Sequence, residues 1–236
     1  MIEISNLSVS VKDRVLLNGI SAVMEDGKIY ALLGENGSGK STFIRALTSY
    51  FPDYSGSIAF DGRELKTFRQ KEREKLHSLL PQMLPHFDIS VSSFLSMYPD
   101  GKKELSKLGL GYLLAERMNT LSGGEKEMVF LAFALSRSAQ LYAFDEPEAG
   151  LDAMYKEKTE NAVRRLAEGG KTVLVSFHDI GRALRIADGF IILSHGELVF
   201  SGNREELLDD NAIERIFGLK RALFTDENGE KHILFI

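Results

Sequence analysis

Cysteine is absent from the 236-residue sequence. A chain without cysteine forms neither a disulfide framework nor a thiolate metal site, and its absence is typical of a reducing compartment. No run of about 20 apolar residues, the length that spans a bilayer as a helix, occurs either. The N-terminus alternates like a strand and lacks the charged and apolar regions of a signal peptide. We therefore expect a soluble, cytosolic chain whose membrane-spanning partner, if it acts in transport, is another chain.

An excess of basic residues is also absent. Lys and Arg total 29 against 34 Asp and Glu, a formal net charge of −5. Nucleic-acid-binding domains are usually basic or carry a basic stripe, so we expect no nucleic-acid partner. The longest basic run, Arg69–Lys75, contains Glu72 and Glu74, and this mixture favours a solvated helix face over a binding patch.

Short, mostly apolar runs alternate with helical patterns along the chain. Ile29–Leu33, Leu141–Phe144 and Thr172–Phe177 are typical of strands buried on both faces of a sheet. Their alternation with helices predicts an α/β fold with a mainly parallel sheet, preceded by an antiparallel N-terminal β subdomain. We also expect one helix over Glu205–Phe217 and a terminal hairpin that turns at Asn228-Gly229.

A glycine-rich loop between a strand and an expected helix fits G-x-x-x-x-G-K-[ST] at every fixed position. A polyphosphate must be surrounded by backbone N–H groups, which requires conformations that side chains would block. Lys40 would reach the β- and γ-phosphates of ATP, and the Ser41 hydroxyl would bind Mg²⁺. The alternative is a glycine-rich turn without a ligand. The expected ATP-binding residues are Gly34, Glu35, Asn36, Gly37, Ser38, Gly39, Lys40, Ser41 and Thr42.

Two acids follow the apolar run Leu141–Phe144. Ligands of open α/β sheets lie at the carboxyl ends of strands, so Asp145 is a candidate Mg²⁺ ligand. Glu146 is a candidate general base that polarises an attacking water. Alone, this pattern is as often structural as functional; beside a phosphate loop it becomes a matched pair.

The segment Leu121–Glu125 (LSGGE) begins an expected helix. Ser122 and Glu125 have the spacing of a capping box. A cap does not require two glycines, each of which costs about 1 kcal/mol in a helix relative to alanine. An anion that approaches the backbone N–H groups explains them, so both a cap and a phosphate site are open interpretations.

Six segments stand in the order and approximate spacing of the ABC ATPase family: LLGENGSGKST, LLPQ, LSGGE, LYAFDEP, AGLD and SFHD. LSGGE resembles the signature of that family, usually LSGGQ, which few other phosphate-loop proteins carry. The resemblance runs from about residue 1 to beyond residue 200. It implies a RecA-like P-loop NTPase core, with ATP and Mg²⁺ as cofactors and ATP hydrolysis as the reaction.

The resemblance also implies a second copy of this chain as partner, because ABC subunits pair head to tail with ATP between them. Ser122, Gly123 and Gly124 would contact the γ-phosphate of ATP held by the partner copy. Asp152, in AGLD, matches the loop that crosses the dimer interface; on its own it is an ordinary helix N-cap.

Two further residues take catalytic roles by resemblance. Gln82, at the end of an expected strand Leu79–Gln82, matches the glutamine that senses Mg²⁺ and the attacking water, which makes Ser41, Gln82 and Asp145 the expected metal ligands. His178 matches the switch histidine that holds the γ-phosphate and helps to orient the base. Without the resemblance, Gln82 is a polar strand end and His178 a structural histidine.

The sequence departs from the family in three places. Val11 occupies the position of the aromatic residue that stacks on adenine; valine offers apolar contact without a π face, and Arg14 is a possible compensation. Glu125 replaces the usual glutamine. The segment after Gln82 is short for the family. We expect residues 1–82 and 141–236 to form the catalytic core with its β subdomain, and residues 83–140 an inserted helical subdomain.

The LLPQ form and the tail IFGLKRALFTDENGEKHILFI resemble ATPases of importers for iron–siderophore, haem or cobalamin complexes. The sequence therefore predicts the ATP-hydrolysing motor of such an importer, bound through transmembrane permease subunits to the inner face of the cell membrane. The alternatives are an exporter ATPase and a soluble ABC switch that regulates a non-membrane partner.

Overall fold

The computed structural model describes residues 1–49, 53–148, 151–225 and 231–235. The strands of this part of the chain are β1 Ile2–Val11, β2 Arg14–Met24, β3 Ile29–Leu33, β4 Ser55–Phe60, β5 Arg63–Glu64, β6 His77–Leu80, β7 Leu141–Phe144, β8 Thr172–Ser176, β9 Gly189–Ser194, β10 Glu197–Asn203, β11 Arg221–Thr225 and β12 Lys231–Phe235. Its α-helices are α1 Lys40–Leu47, α2 Gln70–Arg73, α3 Val91–Leu95, α4 Gly101–Lys107, α5 Gly123–Leu135, α6 Ala153–Glu168, α7 Ile180–Ile186, α8 Arg204–Asp209 and α9 Ala212–Phe217. These elements fall into two compact units.

The first unit lies within residues 1–24, 29–66 and 176–236. It contains an antiparallel sheet with strand order β2-β1-β4-β5. β1 buries Ile2, Ile4, Leu7 and Val9, and the spacing of these residues changes where the β1–β2 register shifts. A β-bulge of this kind lets one strand keep its apolar face on the core across an extra residue. The expected antiparallel β subdomain is confirmed.

The same unit holds the strand that leads into the phosphate loop. β3 pairs in parallel with β9, from Tyr30 opposite Gly189 to Leu33 opposite Ile192, and β10 pairs antiparallel with β9. Ala31, Leu32 and Leu33 are fully buried. The apolar run of β3 therefore carries the chain through the interior to the loop, after which α1 begins.

The second unit lies within residues 25–28 and 67–175. Its strands β6, β7 and β8 are parallel, with Leu80 opposite Phe144 and Phe144 opposite Val175. All four residues of β7 are buried, as expected for a strand covered on both faces. The carboxyl ends of β6 and β7 meet at one edge of the sheet, which brings Gln82 and the two acids after β7 together.

The helical part of the second unit has an aromatic core. The ring of Phe94, on α3, lies 5.0 Å from that of Phe130 and 4.7 Å from that of Phe133, both on α5. Tyr98 adds an edge contact with Phe133 at 5.1 Å. Contacts of this geometry stabilise beyond the area they bury, which ties these short helices to α5.

Parallel strands, helices and an antiparallel N-terminal sheet confirm the expected α/β fold. Two element predictions need correction. The expected strand Leu79–Gln82 is β6, which ends before Pro81, because proline has no N–H for the ladder. The expected helix Glu205–Phe217 is two helices, since Asp210 is extended and its carboxylate accepts from the N–H of Ala212 at 2.6 Å.

The expected terminal hairpin is confirmed in its strands, since β11 and β12 pair antiparallel from Arg221 opposite Phe235 to Thr225 opposite Lys231. The turn at Asn228-Gly229 lies outside the described residues. No helix in the described part of the chain is both long and apolar enough to cross a membrane.

Candidate nucleotide site

The glycine-rich loop depends on glycine at two of its positions. Gly34 has φ +148° and Gly39 has φ +107°, values that strain any residue with a Cβ. A side chain at Gly34 would also overlap the carbonyl oxygen of Leu193, and one at Gly39 would place its Cβ 2.8 Å from Cδ2 of Leu17. The fixed glycines therefore follow from the backbone path of the loop.

Lys40 lies inside this loop. Its side chain is buried, and its Nζ donates hydrogen bonds to the carbonyl oxygens of Gly34 at 2.8 Å and Glu35 at 3.2 Å. Ser38 is buried beside it, and its hydroxyl has no hydrogen-bond partner among the described residues. An ammonium group and a hydroxyl thus converge on a cradle of backbone atoms, which is suited to phosphate oxygens.

The N-terminus of α1 carries no capping side chain. Gly39 is its N-cap, makes no side-chain hydrogen bond there, and is followed by a first turn without an acid. Ser41 and Thr42 stand half-buried in that turn. The loop is also held by the residue after β9 and His195, because the N–H of Gly196 donates to the carbonyl oxygen of Ser38 at 2.9 Å. This uncapped, fixed helix start has the properties of an anion site.

Gln82, Asp145 and Glu146 lie together in the second unit. Asp145 is buried, and its N–H donates to the carbonyl oxygen of Leu80 at 2.9 Å. The amide nitrogen Nε2 of Gln82 donates to Oε2 of Glu146 at 2.6 Å. Three residues that the sequence assigned to metal binding and catalysis are thus brought to one edge of the sheet.

The backbone of Glu146 is unusual. Its φ is +55°, a left-handed conformation that is uncommon for residues other than glycine. Such conformations cost free energy and are found at functional sites, where the surrounding structure enforces them. The chain therefore turns sharply after β7 and presents this carboxylate to Gln82.

Ser122 is the N-cap of α5. Its hydroxyl accepts from the N–H of Glu125 at 3.3 Å, and Oε2 of Glu125 accepts from the hydroxyl at 2.7 Å and the N–H of Ser122 at 2.9 Å. These hydrogen bonds, chiefly that of the hydroxyl, hold the pKa of Glu125 below its ordinary value. The capping box inferred from the sequence is present, with glutamate in the role of its third residue.

The two glycines of this segment have different surroundings. No atom lies within 4 Å of a Cβ built on Gly123. A Cβ on Gly124 would lie 2.9 Å and 3.0 Å from the ring of Tyr155 and 3.4 Å from Leu151. Packing against Tyr155 and Leu151 therefore accounts for Gly124. Gly123 has no such neighbour, so the approach of an anion remains an explanation for Gly123 alone.

The remaining predicted residues divide between the units. In the first unit, Val11 ends β1 with 43% of its surface exposed, and His178 is exposed between β8 and α7. In the second, Asp152 caps α6, and its Oδ1 accepts from the N–H of Tyr155 at 2.9 Å. The described contacts thus show the cap that the sequence allowed for Asp152, while the ligand roles of all three remain predictions.

Sequence reasoning missed two residues near the start of α5. Tyr155, on α6, determines what Gly124 can be, and a lone tyrosine on a charged helix gave no signal of this. Glu127, on α5, is half-buried, and burial raises its pKa to about 7. Such a residue on a polar helical pattern is read as solvent-facing, and only tertiary packing reveals otherwise.

A family model described as "ABC transporter" matches residues 17–149, more than half of the chain. The chain belongs to this family. It is an ABC ATPase subunit, and nucleotide binding follows from that membership. The matched range includes the phosphate loop, the Ser122 cap and the acids after β7.

Two relatives and one solved structure show how far the likeness of this ABC ATPase extends. The hemin import ATP-binding protein of Shewanella denitrificans is 31% identical over 92% of this chain and 93% of that protein. The petrobactin import ATP-binding protein of Bacillus subtilis is 27% identical over the whole of both chains. An ATP-binding subunit of an ABC transporter of known structure has a TM-score of 0.78 and 24% identity, over 92% of this chain and 93% of its own, and shows the shared fold.

Proposed function

We propose that this ABC ATPase drives an importer of iron chelates, of the class that includes haem and ferric siderophores. The observation that carries the proposal is the full-length similarity to the two import ATP-binding proteins, at 31% and 27% identity. Their names favour import over the exporter ATPase and over a soluble switch. The short helical segment after Gln82 belongs to the part of the chain that would dock a permease.

The first unit supplies the groups that hold the nucleotide. The loop Gly34–Gly39 would surround the β- and γ-phosphates with N–H groups, while Nζ of Lys40 exchanges its carbonyl partners for phosphate oxygens. Thr42 would contact the α-phosphate. Val11 is exposed and apolar, so it offers adenine a contact surface without ring stacking.

The residues present fit Mg²⁺ as a cofactor. Ser41, Gln82 and Asp145 offer a hydroxyl, an amide and a carboxylate oxygen, which are the hard donors that Mg²⁺ prefers. No group of three or more His, Cys, Asp or Glu that could hold a metal occurs among the described residues. Mg²⁺ keeps several waters and is usually bound by few protein ligands together with the phosphates of the substrate. When bound, the ion neutralises charge on the transferred phosphoryl group.

Glu146 would act as the general base. Its carboxylate accepts the proton of the water whose oxygen attacks the γ-phosphorus, and the bond from that phosphorus to the β–γ bridging oxygen breaks, leaving ADP. Gln82 positions this carboxylate through the 2.6 Å hydrogen bond. His178 would hold a γ-phosphate oxygen.

A second copy of the chain would complete each site. Ser122, Gly123 and Gly124 would face the γ-phosphate of ATP on the partner copy, with Asp152 at the interface. We further propose that residues 83–140 act as the helical subdomain and residues 1–82 and 141–236 as the catalytic core. The dimer would bind transmembrane permease subunits at the cytoplasmic face of the membrane.

Reconstitution with the native membrane partners tests the cargo. The chain is purified from its own cells in detergent, the co-purifying membrane subunits are identified by mass spectrometry, and the complex is placed in vesicles with its binding protein. Haem or a ferric siderophore on the binding protein should stimulate ATP hydrolysis several-fold over the unloaded binding protein. Absence of membrane subunits, or equal stimulation by iron-free cargo, would contradict the proposal.

A further inference from the structure

The second unit contains a pocket of about 750 Å³ at the edge of the sheet opposite Gln82 and Asp145. Its wall includes Lys75, two residues before β6, Gln140, immediately before β7, and Lys171, immediately before β8. The pocket therefore opens at the amino ends of the three parallel strands. A volume of this size suits a small molecule.

The wall of this amino-end pocket is positively charged. Four cationic side chains line it against the two carboxylates Asp26 and Glu74; the cations are Lys71, Lys75, Arg137 and Lys171. The chain as a whole carries a formal net charge of −5, so the positive charge of the pocket is opposite in sign to the net charge of the chain. Among the described residues, the ammonium groups of the three lysines make no ion pair or hydrogen bond.

Arg137 is held in place at this wall. Its Nη2 donates to the carbonyl oxygen of Glu74 at 2.7 Å, and its guanidinium lies 5.4 Å from the centre of the Tyr98 ring. A guanidinium carries five N–H donors, and that single bond is the one it makes with the described residues. Fixing a cation before a ligand arrives lowers the entropy that binding costs.

The charge of Arg137 affects the pKa of His77, the buried first residue of β6. His77 is 8% exposed, and its Nδ1 has no hydrogen-bond partner in the described part of the chain. Burial and, secondarily, the charge of Arg137 lower the pKa of His77 to about 4, which keeps it neutral at physiological pH. The lysines and Arg137 thus supply the positive charge of this edge.

We propose that the amino-end pocket binds a small multivalent anion that carries phosphate or carboxylate groups. Two lysines of the run Arg69–Lys75, which the sequence favoured as a solvated face, belong to its wall. A volume of about 750 Å³ is large enough for a molecule with two or three acidic groups, and the four cations of the wall would attract those groups. The site shares no residue with the proposed nucleotide site.

Titration calorimetry with inorganic pyrophosphate and with citrate tests the proposal. The pocket variant is Lys71→Ala/Lys75→Ala. Its matched control is Lys102→Ala/Lys103→Ala, which removes two exposed lysines from α4 of the same unit. The pocket variant should bind at least one of the two anions about tenfold more weakly than the wild type, and the control should bind it unchanged.

A third variant distinguishes binding at this pocket from binding at the phosphate loop, which would also attract pyrophosphate. Lys40→Ala weakens the loop and should leave one class of anion sites intact, sensitive to the pocket lysines. Three results would overturn the proposal: no binding of either anion to the wild type, equal weakening in both double variants, or loss of all binding in Lys40→Ala. The comparison of the two double variants remains decisive even if Lys40→Ala fails to fold.

Discussion

At the scale of single residues, Glu146 combines a strained backbone with a short hydrogen bond. Its φ of +55° places the carboxylate where Gln82 Nε2 donates to it at 2.6 Å. An exposed surface glutamate would relax such a backbone, so the surrounding chain enforces this position. The arrangement orients one carboxylate oxygen of Glu146 toward the amide group of Gln82.

Glu146→Gln should retain ATP binding and abolish turnover. The glutamine is isosteric and its carbonyl oxygen still accepts from Gln82, but it cannot take up a proton. We expect kcat to fall by at least about 100-fold, the contribution of a general base, and the ATP-bound dimer to accumulate. Phosphate release and size-exclusion chromatography with ATP and Mg²⁺ measure both effects.

The control for this variant is Glu157→Gln, the same chemical change at an exposed position of α6. It should hydrolyse ATP at the wild-type rate. Normal hydrolysis by Glu146→Gln would show that another group activates the water.

The sequence predicted the residues whose identity is set by local backbone geometry. Gly34, Gly39 and Lys40 belong to one contiguous pattern, because the positive φ of both glycines and the hydrogen bonds of Lys40 arise within the loop. The contact between Gln82 and Glu146 joins residues 64 positions apart, and no local pattern contains its distance. Only the resemblance to a family pointed to Gln82 at all.

At the scale of elements, α5 and α6 approach closely at one point. Gly124, in the first turn of α5, faces the ring of Tyr155, in the first turn of α6. The two helix starts carry the residues proposed to face the partner copy, Ser122 and Asp152, each of which caps its helix. The Gly124–Tyr155 contact therefore fixes the spacing of the two caps.

Gly124→Ala should destabilise the chain by about 1–2 kcal/mol, since its Cβ would meet the Tyr155 ring at 2.9 Å and overpacking carries a cost of this size. Gly123→Ala is the matched control, because open space surrounds its Cβ. That change should be neutral or stabilise by up to about 1 kcal/mol through helix propensity. Urea denaturation of both variants and the wild type measures the difference.

A smaller side chain at position 155 should relieve the overpacking. In a double-mutant cycle with Tyr155→Ala, the cost of Gly124→Ala should largely disappear. If the two glycine variants have equal stability, or if the cycle shows no coupling, the contact does not explain Gly124.

Features of the helices could be predicted from the sequence where the residues that determine them lie close together along the chain. The capping box at Ser122 was readable because all its partners lie within three residues. The break between α8 and α9 was not predicted, because the pattern over Glu205–Phe217 is apolar on one face throughout. In the structure Asp210 is extended, and its side chain accepts from the N–H of Ala212 at the start of α9.

At the scale of the whole molecule, the proposed dimer would divide each ATP site between two copies of the chain. The phosphate loop lies in the first unit and the Ser122 cap in the second. If each ATP site uses the loop of one copy and the cap of the other, two different defects can complement each other. The assembly, rather than the chain, is then the unit of activity.

A mixture of Lys40→Ala and Gly123→Asp chains should regain activity that neither variant has alone. A carboxylate at position 123 would repel the γ-phosphate, and it fits sterically because the space there is open. Each mixed dimer holds one site with an intact loop and an intact cap. Random mixing should therefore restore about a quarter of the wild-type sites, which a phosphate-release assay at varied mixing ratios detects.

The dependence on mixing ratio supplies the control. Activity should peak at equal amounts of the two variants and vanish at either extreme. No recovery at any ratio, with both chains folded by circular dichroism, would show that the cap does not act on the ATP of the partner copy.

The fold class was predictable because the period of the apolar residues reports burial directly. β3 and β7 are continuous apolar runs since both faces are covered, whereas β1 alternates since one face is exposed. The division into compact units, and the pocket at the amino ends of the strands, arise from packing between segments distant in sequence.

Because β6 and β7 are only four residues long, the two ends of these strands lie close together. Each strand spans only about 13 Å, and β6, at the edge of the sheet, pairs with β7. Lys75 and Gln140 lie near the amino ends of these two strands, and Gln82 and Asp145 lie near their carboxyl ends. The amino-end pocket and the edge that carries Gln82 and Asp145 are therefore separated by little more than the length of one short strand.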